Sequence, residues 1–586
     1  MDINILFSIF TLLGGLALFL YGMNVMSGGL EKVSGGKLES SLKKLSSNKL
    51  KALVLGAGIT IAVQSSSAVT VMLVGLVNSG IMTLSQTIGV IMGSNIGTTL
   101  TAWITALSGL DADSNFLIRL MKPESFAPLV AFVGIVIIML SKQQKKKDIG
   151  EIMLGFAILM TGMELMSGSV DWIKDTPGVE NVLVMFDNPL FGVFIGAVVT
   201  GIIQSSAASI AMLQTLSSTI GLTFGQALPI IMGQNIGTCA TALLSSIGVN
   251  KNAKKVAVVH VSFNLIGTVV CLVGFYGLNA VFEFAVVNMI VDEFQIALTH
   301  TIFNLLTTIL LLPFSKFLEK IANFVIKTDE EKQKTTFIDE RLLATPSIAI
   351  EECYNKTVEM AEMAHLAIQK VIPLATTYNK EVAEEVLALE NKIDKYEDKL
   401  GTVLVKLSTK GLSEEDSKKV SLCLHCIGDF ERLGDHAVNL LKVAEEINDK
   451  KINFSAQAQK ELKIATEAIL EILNITYSSY SEKNLELAYK VEPLEEIIDD
   501  ITNKIKSNHV DRLQSGDCTI ELGFILSDLL TNYERISDHC SNIAVALIEV
   551  DQNEFVAHQY LKNLKSSHEA KFEEFYNEYG KKYSIQ

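Results

Sequence analysis

The sequence predicts an all-α protein in two parts. The first is a polytopic membrane half with inverted-topology repeats and re-entrant or broken helices; the second is a soluble helical bundle. Three observations carry this. No Asp, Glu, Lys or Arg occurs between Lys51 and Asp111, or between Asp187 and Lys251. The first half repeats itself at an offset of 140 positions. From Lys327 onward charges become dense and apolar residues recur at helical spacing, as in VEMAEMAHLAIQKVI (358–372).

At 586 residues the chain exceeds one compact core, and its 49% apolar and 19% charged residues average over two unlike halves. Each charge-free tract is longer than the ~20 residues that span a bilayer, so each holds one crossing plus a second apolar element. Further apolar runs lie at about 5–27, 126–141, 149–170, 256–278 and 297–314. The opening MDINILFSIF carries an Asp and no basic stretch, which predicts a retained span rather than a cleaved signal. The expected layout is a membrane domain over 1–315, with repeat 1 at about 5–141, repeat 2 at about 145–278 and an extra span at about 297–314. A linker (316–344), a soluble helical domain (345–550) and a charged, aromatic tail (551–586), read as another helix, follow. The net charge of −16 argues against a nucleic-acid partner. Seven Cys are scattered, and the one close pair, CLHC (423–426), is weak evidence for zinc, since a reduced cytosolic setting explains free Cys just as well.

Aligning 60–102 with 200–242 without a gap gives 19 identities in 43 positions, including GSNIGTT (93–99) against GQNIGTC (233–239). Upstream, GMNVMSGG (22–29) falls on GMELMSGS (162–169). Basic residues in short loops mark the cytoplasmic side. The loop before the first core carries Lys32, Lys37, Lys43, Lys44, Lys49 and Lys51. Its counterpart carries Asp171, Asp175, Glu180 and Asp187 with only Lys174. After the core the bias flips: SGLDADSNFLIRLMKPES (108–125) is mixed, KNAKK (251–255) basic, and KQQKKK (142–147) also reads as cytoplasmic. The copies are therefore expected to cross the membrane in opposite senses, as in many secondary transporters.

Within these tracts stand VQSSSAV (63–69) and IQSSAAS (203–209), amides and hydroxyls in apolar surroundings. Buried without partners they would cost roughly 1–3 kcal/mol each, so a ligand is the expected partner of Gln64, Ser65, Ser66, Ser67, Gln204, Ser205 and Ser206. A Ser pair at a helix start cradles an anion, whereas Gln and Asn carbonyls and hydroxyl oxygens suit a hard cation. With no charged side chain in either core, a co-bound cation offsets the anion's charge. The residues alone thus predict a cation-coupled transporter of a small anion; close packing of small residues between helices is the plain alternative. Glu164 and His260, ionisable residues in other spans, are further candidates by location.

The paired Q-S-S words followed by G-x-N-I-G-T resemble the sodium–phosphate cotransporter family, which includes the animal type II transporters, over about residues 5–315. The resemblance implies that the Q-S-S segments line a site for inorganic phosphate and sodium, with sodium as the coupling ion. Asn95, Thr98, Asn235 and Thr238 join the candidates through the shared N-I-G-T word. The second copy has Ala207 where the first has Ser67, and so lacks one hydroxyl.

The soluble half repeats too. DFERLGDHAVN (429–439) and NYERISDHCSN (532–542) share E-R-x-x-D-H, and ENKID (390–394) and EEIID (495–499) share E-x-x-x-D. Carboxylates at i and i+4 share a helix face and need a cation between them. Either Arg432 and Arg535 or an oxygen-liganded metal (Mg²⁺, Mn²⁺ or iron) supplies it. These words resemble the PhoU domain over about 345–550. The resemblance implies two three-helix bundles about a pseudo-two-fold axis. It also implies divalent-metal or iron ligation by Glu390, Asp394, Glu431, Asp435, Glu495, Asp499, Glu534 and Asp538. A surface of salt bridges without metal is the alternative.

The combined expectation is a sodium-coupled phosphate importer of the plasma (inner) membrane, multi-pass. Alternating access moves the solutes, and a PhoU-like regulatory domain lies in the cytoplasm. Expected partners are inorganic phosphate, sodium and the lipid bilayer, with a homo-oligomer or regulatory protein meeting the cytoplasmic domain. A membrane-tethered phosphate sensor, weakly favoured by Ala207, and an anion channel are the rivals. An enzyme is not expected, because the polar words lie in spans and lack a general acid or base.

Overall fold

The structure is a computed structural model that describes residues 3–34, 48–107, 122–170, 183–327, 337–552 and 569–585. Lys37, Lys43, Lys44, Asp171, Lys174, Asp175 and Glu180, with most of the 108–125 loop and part of the 551–586 tail, lie outside these residues. The chain forms two compact units, Met1–Ile348 and Ala349–Gln586. The described residues are helical, with one isolated β-bridge between Thr223 and Ile290. The all-α expectation holds.

The first unit comprises α1 (Ile3–Ser34), α2 (Lys49–Val63), α3 (Ser66–Asn78), α4 (Leu84–Ala106), α5 (Pro123–Leu140), α6 (Gln144–Ser169), α7 (Pro189–Ile203), α8 (Ser206–Ile220), α9 (Phe224–Gly237), α10 (Cys239–Ser245), α11 (Lys251–Phe282), α12 (Glu293–Leu311) and α13 (Ser315–Val325). Among the described residues five helical stretches are long and apolar enough to cross a membrane: Ile5–Val33, Gln144–Ser169, Phe224–Ser245, Lys251–Phe282 and Glu293–Leu311. The segment expected as a linker begins with α13, because Leu318 and Ala322 on one face are buried.

The offset of 140 is visible in the packing. A Cβ added at Gly56, Gly93 or Gly97 would lie 2.3, 1.9 or 2.6 Å from the carbonyl oxygens of Val90, Leu53 and Ala57, so α2 and α4 touch backbone to backbone. At Gly196, Gly233 and Gly237 it would lie 2.2, 2.1 and 2.5 Å from those of Ile230, Val193 and Ala197, on α7 and α9. Each residue in the second set is the first set's counterpart 140 positions later. The leading helices of the two copies, α1 and α6, pack on each other reciprocally. Gly15 abuts Gly162 and Gly22 abuts Gly155, where Gly155 and Gly162 are the counterparts of Gly15 and Gly22. Position i meets j and j meets i, which is two-fold contact between antiparallel helices.

Beyond α13, residues 338–345 fold back onto this unit. Asp339, 2% exposed, caps a 3-10 turn (Glu340–Ala344), accepts from Asn78 Nδ2 at 2.5 Å and pairs with Arg341 at 3.2 Å. Arg341 Nη2 donates to Ile247 O at 2.7 Å, and the Asn250 amide donates to Asn78 Oδ1 at 2.8 Å. The end of α3 and the turn before α11 are thereby tied to one buried carboxylate. Asp339→Ala strips acceptors from Asn78 and Arg341. A lost partner for a buried polar group costs about 1–3 kcal/mol, so the melting temperature is expected to drop by a few degrees in a scanning-fluorimetry melt. No drop would make the contact incidental.

The second unit contains α14 (from Pro346–Val371), α15 (Lys380–Ser408), α16 (Glu414–Asp449), α17 (Ala456–Glu482), α18 (Val491–Gln514), α19 (Ile520–Gln552) and α20 (Glu569–Lys582). Apolar faces such as Leu400, Leu404 and Leu407 on α15, or Ile498, Ile501 and Ile505 on α18, fill its core. Here too the repeat is reciprocal. His436 Nδ1 pairs with Asn532 Oδ1 at 2.8 Å, and His539 Nδ1 with Asp429 Oδ1 at 2.8 Å. Asn532 and His539 are the counterparts, 103 positions on, of Asp429 and His436. Their rings lie 5.6 Å apart.

Candidate functional site

Both Q-S-S words are helix breaks of the same construction. Gln64 (φ 53, ψ 22) and Gln204 (φ 57, ψ 21) occupy the left-handed region as the caps of α2 and α7. A non-glycine residue there costs roughly 1–2 kcal/mol, and the same strain is held at both equivalent positions. The chain then extends through Ser65 (φ −149) and Ser205 (φ −137), whose hydroxyls cap α3 and α8 by accepting from Ala68 N at 3.1 Å and Ala208 N at 3.2 Å. The first-turn amides of Ser66, Ser67, Ser206 and Ala207 have no intrahelical acceptor, and the positive end of each helix dipole faces the break. Carbonyls at the ends of α2 and α7 face the same gap, so each break offers donors for an anion beside acceptors for a cation.

The copies differ in state. Gln64 is 7% exposed; it donates to Ile61 O at 2.6 Å and accepts from Thr101 Oγ1 at 2.9 Å. Gln204 is exposed, and Thr241, the counterpart of Thr101, donates instead to Thr238 O at 2.9 Å. Thr60 Oγ1 donates to Ser94 Oγ at 2.9 Å in the first copy, whereas Thr200 Oγ1 donates to Ser209 Oγ at 2.8 Å in the second.

The N-I-G-T residues sit along α4 and at the α9–α10 junction. Asn95 and Asn235 turn their amide NH₂ back to Ile91 O (2.9 Å) and Ile231 O (3.0 Å). Thr98 and Thr238 bond Ser94 O (2.9 Å) and Gln234 O (3.0 Å). The structure thus leaves the Asn carbonyl oxygens as the interacting ends. No side-chain hydrogen bond joins the first Q-S-S word to the second. Glu164 opens on a cavity of about 240 Å³ shared with Thr215 and Glu293, while His260 is 1% exposed. Sequence reasoning missed His300. Its signal was present: HVSFN (260–264) returns as HTIFN (300–304).

In the second unit the eight acidic candidates do not behave alike. Carboxylate oxygens of Glu495, Asp499 and Asp538 lie within 4.8 Å of one another; among the described residues no such trio forms from Glu390, Asp394, Glu431 and Asp435. Glu431 lies 3.5 Å and Asp435 3.3 Å from Arg432, Asp538 of the trio lies 3.1 Å from Arg535, and Glu534 pairs with Lys506 at 3.0 Å. Burial, then the neighbouring Glu492, Asp499 and Asp538, pushes Glu495 up to about 8. Burial, then Glu534 and Asp538, pushes Asp499 up to about 6. A carboxyl whose folded pKa is raised stabilises the fold at low pH, and that stability is lost as pH climbs from its ordinary value through about 6 and 8. A divalent cation counters the crowding only where the carboxyls are ionised. Mn²⁺ or Mg²⁺ is therefore expected to raise the melting temperature by several degrees at pH 8 and scarcely at pH 5, with Glu495→Gln abolishing the difference. Equal shifts at both pH values would rule out this trio as the metal site.

Duplicated helices, each broken at a Gln–Ser word in an apolar tract, joined to a duplicated helical bundle, point to the class of membrane transport proteins. The profile of the Na⁺/Pi-cotransporter family matches residues 18–168 and 177–291, and that of the PhoU domain matches 357–444 and 462–547. The chain belongs to the Na⁺/Pi-cotransporter family and carries a PhoU domain. It is similar to a Salmonella typhimurium protein provisionally named for inorganic phosphate export, YjbB, at 24% identity over 560 residues, 93% of this chain and 98% of that one. The uncharacterized protein YqeW of Bacillus subtilis is 30% identical over 314 residues, 53% of this chain and 95% of that one. Sodium-dependent phosphate transport protein 2A of Rattus norvegicus is 41% identical over 99 residues, 16% of this chain and 15% of that one. The chain is a multi-span membrane protein of phosphate transport.

Proposed function

We infer that the chain is a sodium-coupled inorganic phosphate symporter working by alternating access between inverted repeats, with its PhoU domain in the cytoplasm as regulator. The observation that carries this reading is the pair of left-handed glutamines, each followed by an N-capping serine, at equivalent helix breaks. Each break sets amide donors for phosphate beside helix-end carbonyls for sodium, the arrangement by which half-helices hold an anion and its coupling ion. The antiparallel contact of α1 with its counterpart α6 supports the inversion. The unequal states of Gln64 and Gln204 support a cycle in which the halves exchange conformations. The basic Lys251, Lys254 and Lys255 at the start of α11 and Lys316 and Lys320 on α13 support a cytoplasmic second unit.

With sodium higher outside, such coupling drives import; the name of the Salmonella relative favours export as the second reading. Reconstituted vesicles decide both. Labelled phosphate should accumulate under an inward sodium gradient and not under an equal potassium gradient. Preloaded vesicles test efflux with the gradient reversed. Equal flux in both salts would remove sodium coupling. Binding without flux would favour the sensor.

A further inference from the structure

The words HVSFN on α11 and HTIFN on α12 lie outside the Q-S-S breaks, and the structure treats them alike. Asn264 Nδ2 donates to His260 O at 3.3 Å and to Cys239 Sγ on α10 at 3.2 Å, and Asn304 Nδ2 donates to His300 O at 2.8 Å. Each amide is thus turned so that its Oδ1 faces away from its own helix, and both Oδ1 atoms are buried without a hydrogen-bond partner among the described residues. So are both ring nitrogens of His260, Nδ1 of His300 and the hydroxyls of Thr268 and Thr308. All six residues are at most 3% exposed. At about 1–3 kcal/mol per unpartnered buried group, seven such atoms total on the order of 10 kcal/mol, as much as a whole domain's stability. They need a ligand.

The two words flank one helix crossing. A Cβ added at Gly267 would lie 2.3 Å from Thr307 Cγ2, so the helices touch there. Gly267 and Thr307 each stand seven residues after the His of their word, which is two helical turns and nearly the same face. Because α11 and α12 are successive antiparallel helices, the words run away from the crossing in opposite directions. His260 and His300 mark the ends of a polar stripe roughly 20 Å long, against ~30 Å of hydrocarbon.

The stripe's chemistry selects its occupant. Its obligate acceptors are amide oxygens, its hydroxyls and neutral imidazoles supply further lone pairs, and no charged residue lies between Lys255 and Glu283 or between Glu293 and Ser315. Oxygen-rich, uncharged surroundings suit a small, hard monovalent cation; a divalent ion would call for carboxylates. We propose that the paired H-x-x-F-N words form a cation path, in which Asn264 and Thr268 on α11 and Asn304 and Thr308 on α12 are successive stations for a small monovalent cation. The proposal rests on the symporter reading, to which it gives a route for the coupling ion separate from the Q-S-S breaks.

The test is radiolabelled sodium binding to the full-length purified protein without phosphate. Asn264→Leu and Asn304→Leu should each raise the half-saturating sodium roughly tenfold or more while melting as the parent does, and unlabelled lithium, not choline, should displace the label. Thr268→Val with Thr308→Val, nearly isosteric, serves where an Asn variant does not fold, with the same expected loss. Sodium binding by these variants equal to the parent's overturns the proposal, as does a parent that binds no sodium. Binding lost in the variants while the intact chain accumulates no phosphate would remove the symporter reading and keep the site. Sodium-driven accumulation with unaltered binding in the variants would do the reverse.

Discussion

Gln204→Ala is expected to cut sodium-driven phosphate accumulation in vesicles by roughly 10- to 150-fold. That is the span for losing one hydrogen bond to a charged group, about 1.5–3 kcal/mol. Gln204 is the exposed member of the pair, and its side-chain amide makes no hydrogen bond among the described residues, so it is free for a solute. Two further substitutions separate the side chain from the backbone. Gln204→Gly removes the cost of the left-handed conformation and should raise stability while losing transport equally. Gln204→Asn tolerates that conformation, keeps a shorter amide and should retain part of the flux. Gln64→Ala should lose transport too, and additionally stability, because it unties Thr101. Parental accumulation by Gln204→Ala would sink the assignment of the break as the solute site.

Gly93→Ala and Gly233→Ala are expected to yield no monodisperse protein in size-exclusion chromatography. The added methyls would fall 1.9 Å from Leu53 O and 2.1 Å from Val193 O. Those obstacles are backbone, which cannot swing aside. Overpacking typically costs 1–3 kcal/mol, occasionally more, and here the neighbouring contacts at Gly56 and Gly97, or Gly196 and Gly237, prevent the helices from parting locally. Gly28→Ala, with nothing within 4 Å, is the neutral comparison. A folded Gly93→Ala protein would mean that α2 and α4 do not touch as described.

The duplications were legible because identity at a fixed offset survives without any knowledge of contacts. The helix breaks were legible because Gln and Ser are costly in apolar spans unless the backbone there is special. What the sequence withheld was pairing. That Gln64 finds Thr101 while Gln204 does not find Thr241 depends on the conformational state, which equal words cannot encode. Four acidic residues in each bundle read identically, and Arg432 and Arg535 take Asp435 and Asp538 alike, yet among the described residues only Glu495 and Asp499 close on their Asp to form a trio. The segment around Asp339 looked like a linker because its distant contacts, Asn78 to the Asp339 carboxylate and Ile247 to Arg341, share no local pattern. The second H-x-x-F-N word was missed for another reason: its offset of 40 crosses the boundary of the larger repeat.

The reciprocal contact of α1 and α6 has a consequence for the origin of the membrane unit. A surface on which Gly15 meets the counterpart of Gly22, and Gly22 the counterpart of Gly15, is self-complementary, and one sequence suffices to make both sides. A half-length chain bearing α1 could therefore close against a second, oppositely pointing copy of itself as a homodimer, before any fusion. Fusion frees each half to drift, and Ala207 in place of a third hydroxyl is a mark of that freedom.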